Sequence, residues 1–243
     1  MAQRFRIDRP GALPYLAGIV ALLAGCRSAP GPLIPVAAAP VSPEKVAEWV
    51  GPTVPTEPRL LRFKWLFRDE RSSAGGRGSA RIAPPDSLRF DLAGPFGSGA
   101  SAAAVVGDSA LWTEPPDAIK KLVPNYPLLW ALIGVARMPE PGSELRGLEQ
   151  NGTTAWQYVR GADTLEYSRT GTNPLRFQAE VRQAGKVIGR AETELGPDGM
   201  PRSSRLTVPS APARLDLTFT STSKAKAFAE STWLPPEQHS EQP

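Results

Sequence analysis

Arg59-Leu60-Leu61-Arg62-Phe63-Lys64-Trp65-Leu66-Phe67-Arg68 is the stretch on which the fold turns. Leu61, Phe63, Trp65 and Phe67 alternate with Arg62, Lys64, Leu66 and Arg68. A period of two predicts a strand with one face in a core and the other in water. Strands of parallel sheets read as apolar on both faces, so a one-sided pattern points to an antiparallel sheet.

The same alternation recurs outward from this strand. Downstream, Leu88, Phe90 and Leu92 point one way while Arg89 and Asp91 point the other. A small-residue strand over about 100–106 turns at Gly107-Asp108 into Ala110-Leu111-Trp112. Later come Trp156, Tyr158 and Val159, then Leu165 and Tyr167, then Leu175, Phe177, Ala179 and Val181. Ala184-Gly185 makes a two-residue turn into Val187, Ala191 and Leu195, and Leu206, Val208, Leu215, Leu217 and Phe219 supply the last strands. The segment Ser72–Gly78 is expected to be a turn before a short strand at 79–83, and residues 139–152 a loop. The count is about nine to eleven strands in meander order.

Helical signals are few. Ser42-Pro43 is an N-cap followed by Pro at the first helical position, with Val46, Trp49 and Val50 as the apolar stripe and Gly51-Pro52 as the stop. Residues 117–123 form a second candidate helix and 127–135 a third. The third carries Leu128, Leu129, Trp130, Leu132 and Ile133 and is apolar nearly all round, which predicts burial or a lid over an apolar surface. A many-stranded sheet with one wet face must curl around something, and these helices or a ligand are the candidates.

At the N-terminus, Arg4, Arg6 and Arg9 precede an apolar run over residues 11–24 and then Leu23-Ala24-Gly25-Cys26. The run falls short of the roughly 20 apolar residues that span a bilayer, and its order of parts is that of a signal peptide. Leu-Ala-Gly-Cys resembles the lipobox of bacterial lipoproteins. The resemblance implies lipid on Cys26, cleavage before it, and, with Arg rather than Asp at position 27, residence at the outer membrane with the domain facing the periplasm. Each buried lipid methylene contributes about 0.8 kcal/mol, so two or three chains would anchor the protein durably. The Pro- and Ala-rich residues 27–42 read as an extended tether. The expected layout is a signal peptide at 1–25, lipidated Cys26 with tether and short helix at 26–58, a half-barrel domain at 59–220 and a polar tail at 221–243.

Composition narrows the chemistry. Residues 1–25 carry three Arg and one Asp, so the rest of the chain keeps +2 of the formal +4, too slight an excess to suggest a nucleic-acid surface. Cys26 is the only cysteine and His239, in the tail, the only histidine. Zinc sites, histidine triads and CxxC redox chemistry are disfavoured on that count. The strand-borne acids Asp91, Glu180, Glu192 and Asp216 take outward positions, and Gly75-Gly76-Arg77-Gly78 does not open a helix, so neither acid–base catalysis nor a phosphate loop is expected. The chain is not expected to be an enzyme, and no cofactor is implied.

Four features together resemble the LolA/LolB family of lipoprotein carriers and receptors. They are Arg89-Phe90-Asp91-Leu92-Ala93-Gly94-Pro95-Phe96-Gly97, the hairpin carrying Leu111-Trp112, the Leu-rich helix ending in Leu132-Ile133-Gly134, and the late run of paired strands. The resemblance spans roughly residues 59–220. It implies a mainly β fold, a curled antiparallel incomplete β-barrel with a helical lid, and a cavity for the acyl chains of lipoproteins or other amphiphiles. It also implies a periplasmic carrier protein as partner. A lipidated Cys26 places the chain on the LolB side.

On this reading Phe63, Trp65, Phe90, Leu92, Trp112, Trp130, Leu132, Phe177 and Phe219 line the acyl-chain cavity, although the same alternation suits a filled core. Phe96 takes the place of the family's membrane-facing apolar loop residue. Gly94-Pro95 and Gly97 force a tight turn around it, and inserting its ring into lipid would contribute about 1.5–3 kcal/mol; folding back to cap the core is the other option. The competing function is a structural or assembly lipoprotein that acts by protein contact without a ligand.

Overall fold

The computed structural model describes residues 33–34, 38–95, 99–116, 123–210 and 212–235. Thirteen strands form one sheet in the order β1-β7-β8-β9-β10-β11-β12-β13-β2-β3-β4-β5-β6. In chain order these are β1 (Ala39–Pro40), β2 (Arg59–Arg68), β3 (Ser73–Ala83), β4 (Ser87–Ala93), β5 (Ser101–Val106) and β6 (Ser109–Glu114). After a helical interlude come β7 (Glu144–Gln150), β8 (Thr153–Arg160), β9 (Asp163–Thr170) and β10 (Leu175–Gln183), then β11 (Lys186–Leu195), β12 (Pro201–Val208) and β13 (Ala213–Lys224). Every pairing is antiparallel. Two meanders, β2 to β6 and β7 to β13, are joined by the pairing of β13 with β2, which sets Leu217 opposite Trp65 and Phe219 opposite Phe63. The sheet curls without closing, leaving β6 at one edge and β1 on β7 at the other.

The opening stretch behaves as its alternation demands. Leu61 and Phe63 are buried and Arg62 and Lys64 exposed. The glycine-rich segment does not. Gly75, Gly76 and Gly78 lie inside β3, and the turn is confined to the residues before it. The cause is across the strand. Phe63 pairs with Gly78, Trp65 with Gly76 and Leu66 with Gly75. A Cβ at Gly78 would run into the Phe63 ring, and one at Gly76 into the Ala93 carbonyl. The aromatic side chains cover the glycines and supply the contact that a glycine strand lacks.

Three further expectations change. The loop expected at 139–152 contains β7, whose Gly147 receives the Trp49 ring and pairs with Trp156. The tether enters the domain, because Ala39 and Pro40 pair with β7 and Ile34 and Ala38 are buried against Ala155. The C-terminal strand runs on to Lys224, and a short 3-10 turn at Glu230–Trp233 follows, with the Trp233 carbonyl accepting from Trp112 Nε1 at 2.7 Å. The helix over 43–50 forms as expected, α1 (Pro43–Val50), with Ser42 Oγ accepting from the Lys45 N–H. Of the candidate helix at 117–123, only Val123 lies among the described residues. Cys26 and Phe96 also lie outside them.

One continuous core fills the concave face, drawing on α1, every strand from β2 to β5 and β8 to β13, and the interlude between β6 and β7. Among the described residues its members all fall between Val41 and Phe219, inside the compact unit Pro32–Pro243, which therefore has a core of its own on which to fold.

Candidate functional site

The concave face is organised by α2 (Tyr126–Ala131), shorter than the helix expected over 127–135. Gly134 ends the interlude's helical character with φ +79°, and the Leu195 side chain lies against it. Leu128, Leu129, Trp130, Ala131 and Leu132 are all at most 1% exposed, so the helix that reads as apolar all round is enclosed all round. It lies against β10 and β11, and Leu128 reaches Gly189, where a side chain would leave no room.

A helix this short ends in carbonyls with no intrahelical partner. Two inward-facing hydroxyls meet them. Thr193 Oγ1 donates to the Ala131 carbonyl at 2.7 Å and Ser204 Oγ to the Leu132 carbonyl at 2.6 Å. The two residues sit opposite each other on β11 and β12. Polar residues at inward positions of apolar strands were the legible signal for this pair.

The segment after α2 bridges the open side of the sheet. Trp130 Nε1 donates to the Gly107 carbonyl in the β5–β6 turn at 2.8 Å. The Arg137 guanidinium stacks over the Trp130 ring at 4.8 Å and reaches Asp108 at 3.3 Å. Burial raises the Asp108 carboxyl above its ordinary value, and Arg137 works against that shift. On the other side, Tyr167 Oη accepts the Arg137 N–H at 3.1 Å and Tyr158 Oη donates to the Arg137 carbonyl at 3.0 Å. Burial raises both phenols, so they act as neutral hydrogen-bonding groups. Tyr167 stacks between Trp156 and Phe177, with ring centroids 5.4 and 5.7 Å apart.

Of the expected cavity residues, Phe63, Phe90, Leu92, Trp130, Leu132 and Phe177 are buried in the common core. Trp65 and Phe219 are half-buried and pack against it. Trp65 also donates from Nε1 to the Ala93 carbonyl. Trp112 stands apart, under the Arg89 guanidinium and against the C-terminal segment. Open space lies instead at the two ends of the half-barrel. A pocket of about 500 Å³ opens where Tyr126 and Met138 face Leu165, Val181 and Ile188, with Asp108 and Arg160 also on its lining. At the opposite end a pocket of about 190 Å³ lies between Leu61, Ile82, Ile133 and Leu195, with Arg59 and Arg169 on its wall. None of the nine expected residues lines either pocket. Among the described residues, no group of three or more His, Cys, Asp or Glu could hold a metal ion.

No protein-family model matches the chain, and no curated protein matches it in sequence. Solved structures do. A domain described as an outer membrane lipoprotein-sorting protein, from Vibrio parahaemolyticus, superposes with a TM-score of 0.54 at 8% identity, over 79% of this chain and 95% of that one. A LolA superfamily protein from Nitrosomonas europaea gives 0.48 at 10% identity, over 80% and 98%. The likeness to the first of these is one of fold, an unclosed, curled antiparallel sheet.

Proposed function

We propose that this chain is an envelope lipoprotein, anchored through Cys26 to the outer membrane, that binds acyl chains on its concave face and helps receive or insert lipoproteins or lipids there. The observation that carries the reading is the enclosure of α2. An apolar helix sits where an acyl chain would sit, in a fold shared with a lipoprotein-sorting domain, and fills the curve of a sheet whose edges never meet. Swinging α2 outward would leave a trough lined by Phe63, Phe90, Leu92 and Phe177, with Trp130 and Leu132 moving on the lid. Covering that trough with an acyl chain is worth about 25 cal/mol per Å² of apolar surface removed from water. Phe96, in the loop after β4, is the proposed membrane-facing residue, and a periplasmic carrier the proposed donor. The protein acts by binding alone, without a catalytic step.

The test is native mass spectrometry of residues 27–243, exported behind a cleavable non-lipoprotein signal peptide and purified from the bacterial periplasm. Bound acyl species, lost in a still-folded Phe90→Asp variant, are the expected result. An empty protein that also takes up no fluorescent fatty acid overturns the reading. Incorporation of labelled palmitate into the full chain, abolished by Cys26→Ala, tests the anchor. One observation favours the alternative, a lipoprotein acting by protein contact. Six of the nine expected cavity residues are close-packed, and the edge strand β6 presents Leu111, 58% exposed.

A further inference from the structure

Most arginines on this sheet face a carboxylate. Arg81 and Arg89 share Asp91, Arg182 and Arg190 share Glu180, and Arg205 and Arg214 share Asp216. Arg59 and Arg169 do not. Arg59 Nη1 reaches only the Met200 sulfur, at 3.3 Å, and its Nε is buried with no partner among the described residues. A thioether is a weak acceptor, so this guanidinium has no strong partner among the described residues. Arg169 Nη1 reaches only the Trp49 carbonyl, at 3.5 Å, the outer limit of a hydrogen bond. Both arginines line the same 190 Å³ pocket. The acid on its wall, Asp198, is already engaged by Arg202 and by the Met200 N–H, each at 3.1 Å. Two arginines with no carboxylate partner among the described residues thus share the wall of one pocket.

Most of the remaining lining is apolar, with Thr53 adding a hydroxyl, and its floor belongs to the core. Leu61, Ile82, Ile133, Val135 and Leu195 are each at most 7% exposed. A free inorganic ion would use the arginines and leave the apolar floor without a partner. A molecule with an oxyanion at one end and a hydrocarbon at the other fits both halves. The volume is below the roughly 300–1,000 Å³ of sites that engulf a drug-sized ligand, so the pocket suits a head group, with its chain continuing past Ile133 and Val135, the residues that follow α2. Arginine's planar fork matches carboxylate and phosphate oxygens two at a time, which suits either head.

We propose that this pocket binds the oxyanion head group of an anionic amphiphile, phosphate or carboxylate, with Arg59 and Arg169 as its ligands. The proposal rests on the amphiphile-binding reading above and adds the charge of the ligand and the end of the half-barrel at which it is held.

Isothermal titration calorimetry of residues 27–243 with four probes below their micellar concentrations tests it: dodecyl phosphate, dodecanoate, dodecyltrimethylammonium and inorganic phosphate. The expected result is binding of the two anionic amphiphiles, with little heat from the cationic one or from phosphate alone. Arg59→Met and Arg169→Met should each weaken dodecyl phosphate about tenfold to a hundredfold, the range for a lost hydrogen bond to a charged group. Arg62→Met, on the exposed face of the same strand, should leave it unchanged. Removing a cation whose contacts are this weak should not lower the melting temperature of the ligand-free protein, which separates a binding role from a structural one. Equal binding of anionic and cationic amphiphiles, or unchanged affinity in both Met variants, overturns this proposal while leaving amphiphile binding intact. Phosphate alone binding as tightly as dodecyl phosphate also overturns it, in favour of a free-anion site. No binding of any amphiphile overturns the broader reading as well.

Discussion

Phe63 and Gly78 show how much of this fold is decided between single residues. The ring occupies the place where a side chain on β3 would stand, so the strand tolerates glycine there and tolerates little else. Gly78→Val should destabilise the protein by about 1–3 kcal/mol through overpacking, read as a lower urea midpoint with an unchanged slope. Glu166 gives a second residue-level test. It is 4% exposed on the face opposite the core, where it accepts the Leu33 N–H at 3.0 Å and faces Glu180 and Arg182. Burial raises its carboxyl above the ordinary 4.5, with Glu180 adding to the shift and the Leu33 N–H and Arg182 opposing it. The folded chain therefore holds this proton to higher pH than the unfolded chain does. The group's contribution to stability is complete below pH 4.5 and is lost as pH rises through the raised folded value. Glu166→Gln keeps an acceptor for Leu33 and removes the titration. The stability of wild type relative to this variant should fall with rising pH across that window, and a constant difference in thermal melts would contradict the assignment.

Among the elements, α2 has the most at stake. At six residues it is far too short to persist in water, and its helical form depends on its surroundings. Those surroundings are the sheet wall and the two hydroxyls on its last carbonyls. Thr193→Val should strip the Ala131 carbonyl of its side-chain donor, leaving it only the Gly134 N–H at 3.0 Å, and destabilise by about 0.5–1.5 kcal/mol. If α2 is the lid, that variant should also exchange the amides of residues 128–136 faster in hydrogen exchange and take up a fluorescent fatty acid sooner. Slower exchange, or unchanged exchange with unchanged uptake, would remove α2 as the moving part. Its apolar periodicity was legible in the chain. Its length was not, because the turn at Gly134 and the caps on β11 and β12 come from contacts made only after folding.

For the whole molecule, the leading segment is a structural strap. On the outer face Ile34 and Ala38 are buried, the Leu33 N–H meets Glu166, and β1 adds to the β7 edge. Removing residues 33–40 should expose Glu166 and the β7 edge. The expected outcomes are a lower melting temperature and a concentration-dependent tendency to associate, since an uncovered edge strand invites pairing. Sedimentation of the truncated and intact chains at several concentrations checks this, and a monomeric truncated chain of unchanged stability would show that the strap is merely adherent.

Strands, their inward faces, the Ser42 cap and the all-round apolar character of α2 were all readable in order along the chain, because each depends on residues two to four positions apart. The alternation at 59–68 alone implies a one-sided sheet that must enclose something. Other features arise between residues far apart in sequence. Leu33 meets Glu166 across 133 positions, β13 meets β2 to weld the two meanders, and Phe63 completes a glycine strand that reads as a turn. The expected cavity residues met the same limit: alternation assigns a side chain to the concave face, but whether it meets a ligand or a helix depends on what fills the curve. Arg59 and Arg169 stand out for the same reason. Their charge is visible in the chain, whereas the lack of an acid beside them appears only when the half-barrel brings its ends and neighbours into place.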